Sequence, residues 1–399
     1  MTTRRSLLTT GATLTLLAPF AGRVAALPNP DARLVLVILR GGLDGLAAVP
    51  PYAEPQYAQL RGPIALAKPG SEGGVLDLDG TFGLHPALAN LHAMYREREA
   101  LVVHAAATPY RDRSHFDAQN VLEAGSAGPP GGAAGGWLNR ALVSLAAAGH
   151  PREAVALAES VPLVLRGELA VASWAPSRMP VPDDDLLVRV RKLYWAADPA
   201  LAQSLYDALE IRAIAGDASE QRMDGRAGLS VAPLASAAAK FLASPDGPRI
   251  AVLDAGGWDT HANQGGAQGV LAQRLAGLDS GLAQLKSELG EHWSDTTVLV
   301  VTEFGRAAAA NGTRGTDHGT AGCAFVVGGA VAGGRVVADW PGLAARDLHE
   351  GRDLRATTDL RSVFKGVLHE RFGVSEAALA RSVFPSSDAV APLEGVTTA

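Results

Sequence analysis

A single cysteine, Cys323, is all the thiol chemistry in 399 residues. It excludes an intrachain disulfide and any multi-cysteine zinc site. Charged residues make up 19% of the chain and hydrophobic residues 47%, a balance that excludes disorder for the bulk of it. Basic runs are missing and the net charge is −6, which argues against a nucleic-acid partner. The apolar stretch from Ser6 to Phe20 is too short and too rich in Thr and Gly for a spanning helix. The 45 glycines and 24 prolines show no collagen-like period and suit a loop-rich domain. What is left is one large α/β domain or two medium ones, with any metal ligands drawn mainly from Asp, Glu and His.

Residues 1–26 read as an export signal. Arg4 and Arg5 precede the apolar stretch, and small residues at Val24 and Ala26 suit a cut before Leu27. Thr3-Arg4-Arg5-Ser6-Leu7-Leu8 is similar to a twin-arginine signal, so a periplasmic or secreted location is expected. An ordinary secretory signal that happens to contain Arg-Arg is the alternative. Loss of the segment's three arginines takes the net charge from −6 to −9.

Short runs rich in Val, Leu and Ile predict strands at Leu34–Leu39, Ala100–Ala105, Pro162–Leu165, Ile250–Leu253, Thr297–Thr302 and Cys323–Val327. Helical patterns fall between them, at Leu84–Arg98, Asp117–Glu123, Asp184–Trp195, Pro199–Ala215, Ala232–Ala243 and Gly269–Leu289. The alternation predicts an α/β fold, a mostly parallel sheet sandwiched by helices. Such sheets bind ligands beyond the carboxyl ends of their strands. The residues there share a chemistry: Arg40-Gly41-Gly42-Leu43-Asp44, Arg113-Ser114-His115-Phe116-Asp117, Asp259-Thr260-His261, Glu303-Phe304-Gly305-Arg306 and Thr316-Asp317-His318-Gly319. Asp, Glu and His together suit a divalent cation such as zinc or manganese.

Each piece also has an ordinary reading. Asp44 fits a turn, Ser114 fits a helix N-cap as well as a nucleophile at a helix N-terminus, and Asp317-His318 fits loop hydrogen bonding. Asp259 and His261, two apart after a strand, can turn toward one ion. Glu303, after an apolar run, is unlike ordinary surface.

Together these segments resemble a family of exported bacterial proteins known as domain of unknown function 1501. Gly136-Trp137-Leu138-Asn139-Arg140, Asp339-Trp340-Pro341-Gly342-Leu343 and Thr357-Thr358-Asp359-Leu360 extend the match, which covers nearly all of residues 33–373. The family in turn resembles the alkaline phosphatase and sulfatase superfamily. That resemblance implies Asp44 as a first-strand metal ligand, Ser114 as nucleophile and ligand, Asp259 and His261 as a pair on one metal, and His318 as a late ligand. Glu303-Phe304 stands where the superfamily commonly has an Asp-His pair, so one histidine is missing and Glu303 is the one metal ligand implied there. The implied cofactor is one or two divalent ions: zinc, manganese or calcium.

On that resemblance the expected activity is hydrolysis of small-molecule or polymer phosphate or sulfate esters. Arg40 or Arg113 would face the developing charge, and His115 and Asp317 would serve as proton shuttle, orienter or additional ligand. A rival keeps the fold and discards catalysis, leaving an exported binding or scaffolding module for a carbohydrate or anionic ligand. A Ser-His-Asp esterase is disfavoured, because Arg113-Ser114-His115 lacks the glycines of a nucleophile elbow. Residues 27–399 are expected to form one domain with a cap-like helical insertion at about 141–247. The tail beyond Gly373 is expected to pack loosely.

Overall fold

The computed structural model describes residues 29–129, 135–149, 153–176, 183–215 and 231–398. The export signal and residues 180–182 of the insertion lie outside them. Arg33–Leu39 (β1) is buried along its whole length, as a strand covered on both faces must be. After a small hairpin, Leu76–Asp77 (β2) and Gly83–Leu84 (β3), come Ala100–Ala107 (β4), Ala154–Leu157 (β5), Ala172–Trp174 (β6) and Ile250–Ala255 (β7). Thr296–Thr302 (β8), Gly322–Val327 (β9), Arg335–Val337 (β10) and Thr358–Asp359 (β11) complete the set. The main sheet runs β10-β4-β9-β8-β1-β7-β5-β6, with β11 also on β4. Its pairings are parallel except at β9, which runs antiparallel to both β4 and β8.

The helices are Gly45–Ala48 (α1), Tyr57–Arg61 (α2), Ala89–Arg96 (α3), His115–Ala124 (α4), Trp137–Ala147 (α5), Asp184–Ala197 (α6), Pro199–Ala215 (α7), Val231–Ala243 (α8), Val270–Leu289 (α9) and Leu360–Phe372 (α10). Alternate residues of β1 divide between two cores. Val35, Val37 and Leu39 pack with residues of α3, α8 and α9. Leu34, Leu36 and Ile38 pack with α5 and α10. This period of two makes the sheet the middle layer, and each aliphatic side chain buried along β1 contributes about 1.5–3 kcal/mol.

Three expectations need correction. Pro162–Leu165 forms no strand; Leu163–Leu165 is a 3₁₀ turn. Its Val164 N–H donates to the Glu123 carboxylate at 3.0 Å instead of to a sheet neighbour, and the local strand is β5. The helix expected from Leu84 begins at Ala89, because Leu84 pairs with Leu76 in the hairpin. The tail is not loosely packed: Leu379, Val383, Phe384 and Val396 are buried in the second core. Within the expected insertion, residues 154–174 supply β5 and β6 of the main sheet.

Candidate metal centre

Because β9 is reversed, its beginning lies at the same edge as the carboxyl end of β8. The segment from Glu303 to Ala321 therefore leaves that edge and returns to it, with Arg306 bridged to His318 across it. Beside it lie the carboxyl ends of β1 and β7 and the start of α4.

Glu303 is buried. Its Oε1 accepts from Gly41 N at 2.8 Å, from His115 Nδ1 at 2.9 Å and from Gln119 Nε2 at 3.1 Å; its Oε2 accepts from Thr302 Oγ1 at 3.0 Å. Burial pushes this carboxyl up, but these hydrogen bonds outweigh it and hold Glu303 below the usual carboxylate range. A carboxylate only accepts, so the Nδ1 proton of His115 belongs to the imidazole. His318 is fixed in the same sense, since its Nδ1 lies 3.1 Å from the Arg113 carbonyl oxygen, which also only accepts. Both rings thus turn their Nε2 atoms inward, 3.0 Å apart.

Neutral rings so fixed would place two lone pairs face to face. Asp259 adds a carboxylate, with Oδ1 3.2 Å from His318 Nε2 and Oδ2 3.5 Å from His115 Nε2. The donor atoms of His115, Asp259 and His318 all lie within 4.8 Å of one another. His261 Nε2 comes to the same place, 3.0 Å from both His318 Nε2 and Asp259 Oδ1. A histidine whose outer nitrogen is held by an acceptor while its inner nitrogen joins a carboxylate is the arrangement that serves a metal ion. The imidazole-rich set suits zinc or manganese better than calcium.

Without an ion, a proton must fill the gap between the two Nε2 atoms. The hydrogen bond to Glu303 raises the His115 pKa above its ordinary value. Burial, with the neighbouring charge of His115, lowers that of His318. Of these two rings His115 is therefore the one that takes up a second proton more readily. Burial pushes Asp259 up, but the hydrogen bond and charge of Arg306 prevail and hold it low. Phe304 supplies no ligand. Its ring packs 4.8 Å from that of His115 and 5.0 Å from that of His318, as an apolar wall.

The other expected residues lie as follows. Ser114 caps α4 by position only, with an extended backbone and no side-chain capping bond. Asp317 borders the centre, its Oδ1 3.7 Å from His261 Nδ1, and its hydrogen bond from Asn311 holds its pKa low. Arg40 is held by Glu123 at 2.8 Å and Asp254 at 2.9 Å. Arg113 is held by Glu350 at 2.6 Å and Asp353 at 2.7 Å. Neither guanidinium stands free for an incoming anion; Arg113 contributes its carbonyl to His318. Asp44 is outside the group, its carboxylate taken by Arg61 and by Gln264 Nε2 at 2.7 Å.

Sequence reasoning gave no role to Arg306, Arg61, Gln119 or Gln264. Arg306 is buried, and its Nη1 donates to Asp259 Oδ1 at 2.6 Å. Its place in Glu303-Phe304-Gly305-Arg306 was the one available signal. Gln119 ends the family-like stretch Ser114-His115-Phe116-Asp117-Ala118-Gln119, whereas Arg61 and Gln264 stand in stretches with no distinguishing pattern.

Sheet and side chains define an α/β protein with a histidine–aspartate centre at the carboxyl edge of its strands. Residues 31–383 match the family described as protein of unknown function (DUF1501), and the chain belongs to that family. Among solved structures it is similar to the phosphonate monoester hydrolase of Agrobacterium radiobacter, at 11% identity and a TM-score of 0.39, over 86% of this chain and 74% of that one. No curated protein matches it.

Proposed function

We propose that this chain is an exported, metal-dependent hydrolase of phosphate or sulfate esters that acts through Ser114. The observation that supports this most is the inward pair of Nε2 atoms on His115 and His318, each fixed by an acceptor on its outer nitrogen and both facing Asp259. His115, Asp259 and His318 would hold the ion, with His261 at the same position. When bound, a divalent ion supplies charge to a non-bridging oxygen and lowers the pKa of a hydroxyl. Ser114 stands at the first turn of the ten-residue helix α4, where unbonded backbone N–H groups favour an anionic group. Its hydroxyl would lose its proton and attack phosphorus or sulfur in line. The bond to the ester's alcohol would break and the alcohol leave with a proton, and water would then cleave the seryl ester to free phosphate or sulfate and restore Ser114. Residues 1–26 would direct the chain across the membrane, by the twin-arginine route.

Two observations favour the rival reading of a binding module with an eroded site: the carboxylates of Glu303 and Asp44 are both fully engaged by protein groups. Metal analysis of the purified protein, followed by p-nitrophenyl phosphate and p-nitrophenyl sulfate assays, separates the two. Near-stoichiometric metal, turnover above the free ion, and loss of turnover with retained metal in Ser114→Ala are expected. Full turnover in Ser114→Ala would remove the nucleophile. Metal binding without turnover on either ester would favour the binding module.

A further inference from the structure

Asp44 follows β1 and caps α1, with Oδ1 3.2 Å from Ala47 N. Its Oδ2 accepts from Arg61 Nη2 and from Gln264 Nε2. The two side chains of the ion pair are 1% and 0% exposed. A buried carboxylate needs a cation or a full set of donors, and here the cation is part of the chain. Arg61 is itself anchored, since its Nη1 donates to the carbonyls of Ala307 and Ala308, each at 3.3 Å. These residues directly follow Arg306.

The pair also connects to the histidine centre. Gln264 Oε1 accepts from Thr260 Oγ1 at 2.8 Å and from Thr316 Oγ1 at 2.9 Å. Arg306 Nε donates to Thr316 Oγ1 at 3.2 Å, and Arg306 Nη1 donates to Asp259. One network thus holds two carboxylates with two guanidiniums, buried at Asp44 and open to solvent at Asp259. Asp259 keeps Oδ2 for the histidine centre, whereas both oxygens of Asp44 are engaged by protein donors.

We infer that Arg61 is the permanent cation of Asp44, so that the centre takes one divalent ion, at His115, Asp259 and His318, and Asp44 holds none. An ion at Asp44 would meet the Arg61 guanidinium as a like charge in a site closed to water. It would also have to displace an arginine anchored to the Ala307 and Ala308 carbonyls. The inference deepens the proposed function and rests on its metal reading.

Chelator-stripped full-length protein is titrated calorimetrically with zinc and, separately, manganese; bound metal is then counted by mass spectrometry for wild type, His318→Ala and Asp44→Asn. One ion is expected in wild type and in Asp44→Asn, with at least a hundredfold loss of affinity in His318→Ala. Two ions in wild type, or loss of an ion in a folded Asp44→Asn, would overturn the single-ion inference while leaving metal binding intact. No ion in any variant would overturn the metal reading, and this inference with it. Should Asp44→Asn fail to fold by circular dichroism, the double variant Asp44→Asn/Arg61→Met removes both buried charges together. It is expected to bind one ion, and loss of that ion would be equally decisive.

Discussion

Glu303 acts on the centre through another residue. Its two oxygens are occupied by Gly41, His115, Gln119 and Thr302, so its effect on an ion passes through the orientation and basicity of His115. In Glu303→Gln the amide oxygen can keep the Gly41, His115 and Gln119 contacts while the amide nitrogen faces Thr302 Oγ1, so what is lost is the negative charge behind His115. Metal affinity is expected to fall about 10- to 100-fold with the fold retained, measured by competition with a chromophoric chelator. A change under about twofold, against that same expectation, would show that His115 needs no such support. The raised pKa of His115 has its own consequence. In the ion-free protein its contribution to stability is present below its unfolded pKa and is lost as pH rises through the folded value. An ion must displace that proton, so affinity should increase with pH across the His115 titration. Titrations in buffers of different ionisation enthalpy should show about one proton released per ion.

His104 shows the opposite sign. It is buried in β4, donates from Nε2 to the Val49 carbonyl at 2.9 Å and accepts the Ala105 N–H at 2.8 Å. Burial lowers its pKa to about 4. The unfolded chain therefore takes up this proton first; the stability is present above pH ~6.5 and is lost as pH falls toward 4. The loss should reach about 3 kcal/mol, seen as a falling urea midpoint over that window. His104→Gln should be less stable at pH 7 but flatter in pH. An unchanged slope in the variant would assign the acid sensitivity to other groups.

At the scale of elements, the turn after β1 decides whether the centre closes. Gly41 has φ +122, donates to Glu303, and a Cβ there would lie 2.5 Å from Asp259 N. Gly41→Ala combines a backbone penalty of about 1–3 kcal/mol with displacement of Asp259. Melting temperature and metal affinity should fall together, and retained affinity would mean that the 258–259 segment can shift without moving the carboxylate. The same scale shows what was legible in the sequence. Unbroken aliphatic runs revealed β1, β4, β7, β8 and β9, because strands buried on both faces have no polar alternation to hide them. Pro162–Leu165 misled for the same reason: a short apolar run is equally buried as a turn, and only the bond from Val164 to Glu123 decides its form. Gly136-Trp137-Leu138-Asn139-Arg140 carried a family resemblance without a role, and the structure makes it architecture. Trp137 stacks on Phe364 at 4.8 Å, and Arg140 donates to the carbonyls of Ala124 and Val383, each at 2.6 Å. The acidic and imidazole strand ends pointed to the centre, but the division between direct donors and their supports did not show. Glu303 and Asp44 differ from Asp259 only in what reaches them from distant segments, Arg61 above all.

Across the whole molecule, order is unevenly distributed. The central strands are buried throughout, whereas α6 leaves Leu186, Val188, Leu193 and Trp195 exposed. No helix among the described residues is long and apolar enough to cross a membrane. Hydrogen exchange should be slowest in β1, β8 and β9 and fastest in α6. Protection of α6 equal to that of β1 would show that another surface covers it.

The reversed strand β9 also bears on how the molecule assembles. It lets Arg306 and His318 meet across a short local hairpin, formed at little cost in chain entropy. The remaining donors come from far away: His115 lies 203 residues from His318, and Asp259 lies 59. Only Asp259 and His261 are neighbours in sequence, so an unfolded chain offers no more of the centre than that one pair. On the metal reading proposed above, an ion would bind last, to an already folded body, and the stability it would add rises with its free concentration.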